Sequence, residues 1–521
     1  MIAPAIMVLG TGSHVGKSLL TAGLCRNFAR QGIRVAPFKA QNMSLNSAAT
    51  IEGLEIGRAQ ALQAEAAGIP PSVHMNPILL KPSGRGTSQV VVRGKIWDRL
   101  SASDYFQRRI VELFPVVRES YDLLAAQYEL IILEGAGSPA EINLKESDIV
   151  NMRMAEAVDA RCMLVADIDR GGAFASLVGT LELLEPAHRN LIYGFVINKF
   201  RGDLSLLMPG ITEIEKRIGK PCLGVVPYVR NLKLDEEDGL GLKEESNDSW
   251  NQNHSSSRRL RVAIVRLPSI ANFTDFDPLL AEPSVSVYFC SDPEELAVAD
   301  VVVIPGSKQT VEDLRWMRSR GLADVVSSRA NDRLTVGICG GLQMIGVAIH
   351  DPQGIETEGS EQGLGMLRIE TVMNGEKTTV EAVGKLVRSQ LFGTSISNST
   401  LRGYEIHVGE TIYLSGASPF ASITRNSSDG SSVADGCVSD NQLTLGTYLH
   451  GIFQEDEFRH GFLRCARKFY GLDPAGNLIP WKKIREAELD RFSAAVASAI
   501  DLQAILGWVG MAKDQTIHQN V

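Results

Sequence analysis

At 521 residues the chain is too long for one ordinary domain, and roughly two to four would fit its length. Its 44% hydrophobic and 22% charged residues are a globular balance, and a formal net charge of -9 with no basic stripe argues against a protein that tracks a nucleic-acid backbone. Seven scattered cysteines without a CxxC pair argue against a zinc cage or a redox pair and fit a reducing cytoplasm.

The first residues, MIAPAIMVLG, are apolar but lack the basic start and cleavage region of a signal peptide. They read as a buried first strand, and no uncharged apolar run is long enough to span a bilayer. Strands are expected at Ala5–Leu9, Arg34–Phe38, Leu130–Leu133, Cys162–Ala166, Gly194–Ile197 and Cys222–Val226, with helices such as Lys17–Arg30 and Tyr105–Gln127 between them. Strands alternating with helices imply a mostly parallel sheet covered on both faces. Residues 243–259, KEESNDSWNQNHSSSRR, are polar and serine-rich and read as a linker. A second alternation follows, with strands expected at Arg261–Arg266, Val301–Ile304 and Thr335–Ile338. The expected architecture is therefore two doubly wound α/β domains, over 1–242 and 260–460. A helical segment, 461–521, follows them.

The string GTGSHVGKS, Gly10–Ser18, lies between a predicted strand and a predicted helix, the context of a phosphate-binding P-loop. Backbone N–H groups of such a loop cradle phosphate oxygens, and the helix N-terminus adds positive potential. Thr11, Gly12, Ser13, His14, Val15, Gly16, Lys17 and Ser18 are therefore the ATP-binding candidates. Lys17 would reach the terminal phosphates and the Ser18 hydroxyl would ligate Mg2+. Thr11 stands where the usual pattern has glycine; this Gly-Thr start resembles dethiobiotin synthetase and its relatives, which phosphorylate a carboxylate. In that family a lysine placed like Lys39 also contacts phosphate.

Leu130–Gly137, LIILEGAG, ends an apolar strand in Glu134, a second candidate for binding or positioning Mg2+. Asp167, Asp169 and Arg170 follow another strand and suit phosphate or an acidic substrate, although Asp169 could equally cap a helix. Gln41 and Asn42, after the second strand, join them as substrate or phosphate candidates. Asn198 and Lys199 follow a further strand, and a base-reading role stays open.

Thr335–Ile345, TVGICGGLQMI, is a strand, a cysteine between glycines, then a helix: a nucleophile elbow with Cys339 in place of serine. The turn presents the thiol at a helix N-terminus, where positive potential favours thiolate. The N–H of Gly340 is one oxyanion-hole candidate. Ile304–Ser307 resembles the PG loop of class I glutaminases, which makes Gly306 the second, and Gln343 fits that family's GxCxGxQ motif. Among nine histidines, His450 in GTYLHGIF is the best placed base and His407 in GYEIHVG the next. Many class I glutaminases carry glutamate two residues after this histidine, and here that residue is Ile452. Glu405 could substitute, or a cysteine–histidine pair could suffice.

A dethiobiotin-synthetase-like ATP domain fused to a class I glutaminase is similar to the cobyrinic acid amidases of cobalamin biosynthesis. PFKAQNMSLNS, EGAGSPAEINL, DIVNM, ADIDRGG, VINKFRGD and GYEIHVG resemble the branch acting on adenosylcobyrinic acid a,c-diamide. The resemblance implies glutamine hydrolysis at Cys339 and ATP-Mg2+ phosphorylation of corrinoid carboxylates at the b, d, e and g positions. Ammonia would then displace phosphate. It implies small-molecule partners, glutamine and a corrinoid polycarboxylate, and leaves the oligomeric state open. Rival readings are the branch that makes the a,c-diamide, another glutamine-fed amide ligase, or a partition-type switch ATPase. The last leaves Cys339, Gly306 and His450 unexplained.

Overall fold

The computed structural model describes residues 2–83, 86–235, 258–396, 400–426, 431–476 and 478–512; most of the expected linker, 243–257, lies outside them. The chain divides into two units. One comprises Met1–Ser44, Ile56–Leu234 and Arg485–Val521; the other comprises Leu45–Glu55 and Asp235–Ile484.

In the first unit six parallel strands run in the order Cys222–Pro227, Ile192–Phe200, Arg161–Asp167, Ala5–Gly10, Leu130–Glu134, Val35–Phe38. Every residue of Ala5–Gly10 and Leu130–Glu134 is buried, because a parallel sheet is covered on both faces. The expected strands and the helix Lys17–Arg30 are all present. A smaller sheet of Gln41–Met43, Ile78–Ser83, Thr87–Val92 and Lys95–Ser101 was not expected from the sequence. Helices Trp481–Ala499 and Leu502–Gly507 supply Leu489, Phe492, Val496 and Ile505 to the core around Leu20, Leu24 and Phe28. A Cβ added at Gly23 would meet Val496 at 3.0 Å, and Arg26 pairs with Asp490 at 2.8 Å, so the tail helix fits closely on helix Lys17–Arg30.

The second unit holds a sheet in the order Val285–Cys290, Leu260–Val265, Val301–Ile304, Leu334–Ile338, Thr444–Thr447, Cys437–Val438. All pairs are parallel except the last. A second sheet is built on the long strand Ile369–Leu386, which pairs antiparallel with Thr400–Tyr413 and with Ala421–Arg425. Among the described residues no helix is long and apolar enough to cross a membrane.

Candidate functional site

Two sites emerge, one in each unit. In the first, parallel strands place all their carboxyl ends on one edge of the sheet, where ligands of open α/β sheets bind. Gly10, Glu134, Asp167 and Asn198 all arrive there. The loop after Gly10 turns through Gly16 at φ 95°, and a Cβ on Gly16 would lie 2.3 Å from Asn198 Nδ2, so only glycine fits. Asn198 Nδ2 in turn donates to the Val15 carbonyl at 2.8 Å. Asn198 thus braces the loop, a role its motif did not specify.

Lys17 is buried and its Nζ donates to the carbonyls of Gly12 and Gly137 at 2.8 and 3.1 Å. Thr11 donates its N–H to Val165, while Ser13 and His14 are exposed at the loop's tip. Glu134 is the hub below the loop. Its Oε1 accepts from Ser18 Oγ and Lys39 Nζ, both at 2.8 Å, and its Oε2 accepts from Gln63 Nε2 at 2.6 Å. The expected group Lys17, Ser18, Lys39 and Glu134 is therefore assembled. Gln63 was missed because it belongs to an alanine-rich helix, Arg58–Ala67, that carries no motif. Mg2+ keeps several waters and takes one or two protein oxygens, and the Ser18 hydroxyl beside the Glu134 carboxylate is such a donor set. Among the described residues no group of three or more His, Cys, Asp or Glu could hold a metal ion. A cation at Ser18 would thus lean on phosphate oxygens.

Asp167 Oδ2 accepts from Lys199 Nζ at 2.8 Å and lies 3.8 Å from Arg170 Nε. Asp169 pairs with Arg201 at 3.0 Å. These three candidates sit together at the end of strand Arg161–Asp167, facing Lys199 and Arg201 at the end of its neighbour. Gln41 and Asn42 are buried, bonded to the Tyr105 hydroxyl and to Gln60.

In the second unit Leu334–Ile338 runs into Cys339, held at φ 52° and ψ -108°, and helix Gly340–Ile345 begins at once. A non-glycine residue at positive φ is strained, as expected for a nucleophile elbow. The turn needs small neighbours: a Cβ on Gly341 would lie 2.0 Å from the Ile304 carbonyl, and one on Gly337 would lie 2.7 Å from the Gly341 backbone. Strand Thr444–Thr447 is the next strand in the sheet, so its carboxyl end delivers His450 beside Cys339. His450 is buried beside Cys339, whose thiol donates to the Ile406 carbonyl at 3.6 Å. A Cβ on Gly306 would lie 3.0 Å from His450 Cε1 and 3.8 Å from Cys339 Cβ, and one on Gly340 would lie 2.9 Å from the Ser307 nitrogen. The two oxyanion-hole candidates therefore flank the thiol.

Asp275 completes the arrangement. Its Oδ2 lies 2.7 Å from His450 Nδ1, and its Oδ1 accepts the Gly451 N–H at 2.9 Å. Burial alone pulls the His450 imidazole down, but Asp275 and Cys339 more than offset it and push it up to about 10. Glu405 does something else. It pairs with Arg425 at 2.6 Å and lies 3.4 Å from His407 Nε2. Burial raises the Glu405 carboxyl, but those two partners hold it at about 2. His407 stacks on Tyr448, with ring centroids 3.9 Å apart. Gln343 donates to the Val408 carbonyl at 3.0 Å and accepts from Thr310 Oγ1 at 3.2 Å, lining the helix side of the elbow. Nothing in the string around Asp275, ANFTDFD, resembled a glutaminase motif, and it stands 175 positions before the histidine it orients.

Two family models match the chain. Residues 6–242 match a CobQ/CobB/MinD/ParA nucleotide binding domain, and residues 261–458 match a CobB/CobQ-like glutamine amidotransferase domain. A cobyric acid synthase of Thermoanaerobacter sp. (strain X514) is 45% identical, over 98% of this chain and 100% of the relative. One of Chloroflexus aggregans is 48% identical over 89% of this chain and 92% of the relative. One of Sorangium cellulosum is 45% identical over 98% and 99%.

Proposed function

This chain belongs to the cobyric acid synthase family, and from that membership we propose how its residues divide the work. It is a glutamine-hydrolysing, ATP-dependent ligase that forms amides in cobalamin biosynthesis. Its substrate in this reading is adenosylcobyrinic acid a,c-diamide, converted at the b, d, e and g carboxylates to adenosylcobyric acid.

At the elbow, His450 takes the proton of the Cys339 thiol as the sulfur attacks the glutamine amide carbon, and returns it to the leaving nitrogen. The C–N bond breaks, ammonia leaves, and water then hydrolyses the thioester to glutamate. The oxyanion formed in both halves would accept N–H groups from the Gly306 loop and Gly340. Asp275 holds the His450 tautomer and stabilises its cationic form.

At the phosphate loop, Lys17 and the backbone of 11–16 hold the nucleotide phosphates. Ser18 and Glu134 would hold Mg2+, which supplies positive charge against the phosphates. Lys39 lies on the same carboxylate and would follow the transferred group. A substrate carboxylate attacks the γ-phosphorus, giving an acyl phosphate and ADP. Ammonia displaces phosphate from the acyl carbon, leaving the amide. Activation is needed because a carboxylate is a poor electrophile. Local ammonia is needed because ammonium carries no lone pair.

The observation that supports this reading best is the presence in one chain of a strained cysteine beside a buried histidine and a lysine-bearing phosphate loop. Seven free cysteines support a reducing, cytoplasmic setting. The test follows the corrinoid by mass spectrometry with glutamine and Mg-ATP. Stepwise gain of amides is expected, lost in Lys17→Ala and dependent on added ammonium in Cys339→Ala. Hydrolysis of ATP and glutamine with an unchanged corrinoid would remove this substrate and keep the amidotransferase chemistry.

A further inference from the structure

Residues 45–55 lie within the sequence of the nucleotide-binding half, yet they belong to the glutaminase unit. They are built in rather than draped over it. Ser47 and Thr50 are fully buried, and the Glu55 carboxylate, also buried, accepts from Ser47 Oγ at 2.8 Å and pairs with Lys377. Ala49 forms a small apolar cluster with Tyr404 and Ile406. Asn426 Nδ2 donates to the Ile51 carbonyl at 3.3 Å.

The Ser47 peptide groups meet both residues that bracket the candidate base. Its N–H donates to Asn272 Oδ1 at 2.9 Å, and its carbonyl accepts from the Tyr404 hydroxyl at 3.3 Å. Asn272, at φ 53°, opens the short turn Phe273–Phe276, and its carbonyl accepts the Asp275 N–H at 3.0 Å. That turn presents Asp275 to His450 Nδ1. On the other side the Tyr404 ring stacks on the imidazole, with centroids 5.4 Å apart and planes at 21°. Tyr404 and His450 also exchange backbone hydrogen bonds at 3.1 and 2.9 Å. The main chain of one residue therefore meets both the turn that carries the carboxylate and the aromatic plane against which the ring rests.

We propose that the Ser47 peptide, acting through Asn272 and Tyr404, positions His450 for glutamine hydrolysis, so that residues 45–55 form a working part of the glutaminase site. The inference rests on the assignment of His450 as the base. Asn272 and Tyr404 are positioning residues: neither needs to touch glutamine. Loss of one such hydrogen bond loosens the geometry of proton transfer, which rate feels more than substrate binding does.

The test uses the full-length protein and measures glutamine hydrolysis beside ammonium-driven, ATP-dependent amidation. Tyr404→Phe removes the hydroxyl and keeps the ring. Asn272→Gly removes the acceptor and tolerates the positive φ, and Asn272→Asp restores an acceptor. Tyr404→Phe and Asn272→Gly should each lower kcat for glutamine by about 10-fold with KM changed less than about 2-fold. Asn272→Asp should recover most of the loss, and ammonium-driven amidation should stay intact, which reports an intact fold. Unchanged kcat in both variants, with hydrolysis abolished in His450→Ala, would overturn the positioning role and leave the base assigned. Hydrolysis surviving in His450→Ala would overturn the base assignment and the inference together.

Discussion

Asp275 Oδ2 lies 2.7 Å from His450 Nδ1, with both side chains buried, so the imidazole beside Cys339 is oriented by a carboxylate from a distant turn. The position two residues after the histidine, Ile452, is buried and apolar and takes no part.

Asp275→Asn should therefore lower glutamine hydrolysis by about 100- to 10,000-fold and spare ammonium-driven amidation, the range general-base catalysis supplies. The same change should be visible in stability. The His450 imidazole is raised to about 10, so its charged form stabilises the fold fully below its ordinary 6.5 and loses that effect as pH rises through about 10. The deficit of Asp275→Asn in unfolding midpoint should accordingly be largest near neutral pH and below, and shrink toward about pH 10. A deficit that is the same at every pH would count against the charge pairing.

Gly341 has no room for a side chain. Its added Cβ would sit 2.0 Å from the Ile304 carbonyl, a backbone atom that cannot rotate away. Gly341→Ala should cost at least about 1–3 kcal/mol of stability by overpacking. It should also distort the Cys339 turn. Chemical denaturation and glutamine hydrolysis together check this, and a variant of wild-type stability would mean the elbow is looser than its contacts suggest.

Lys39 and Glu134 form an ion pair at 2.8 Å with side chains 5% and 0% exposed. Removing one partner leaves an uncompensated buried charge. Lys39→Met should destabilise the nucleotide-free protein by about 3–5 kcal/mol. Equilibrium denaturation measures it, and a loss under about 1 kcal/mol would show that Ser18 and Gln63 suffice to carry the Glu134 charge.

Asp435 is buried, and burial pushes its carboxyl up to about 7 despite hydrogen bonds from Thr447 Oγ1 and the Tyr448 N–H. For an acid raised in the folded state, the unfolded chain ionises first. Stability is then lost as pH climbs from the ordinary 3.8 through about 7. Asp435→Asn should remove that slope: the variant should gain on wild type in unfolding midpoint as pH rises from about 5 to about 8. Parallel curves over that window would show that Asp435 is ionised throughout.

The phosphate loop and the cysteine elbow were legible in the sequence because each is a local event. A strand, a few residues of special backbone and a helix follow one another directly, and steric demands at Gly16 or Gly341 restrict the residue to glycine wherever the rest of the chain goes. The alternation of buried strands with helices likewise follows from short-range hydrophobic pattern, which is why Ala5–Gly10, Leu130–Glu134 and Leu334–Ile338 lie close to their expected bounds. The partners of these groups were not legible. Asp275, Gln63 and Asn198 are ordinary residues whose roles come from where distant segments cross, and a carboxylate or amide carries no mark of the group it will face. The same holds for Ser47, which acts through its peptide and so leaves no trace in residue type. It holds too for the tail helix, whose Leu489, Phe492 and Val496 read as apolar helical spacing but fill the core of the first unit. Local backbone chemistry is written in neighbouring residues; the pairing of remote surfaces is decided by the folded packing, in which the partners of one group come from strands and turns far apart in the chain.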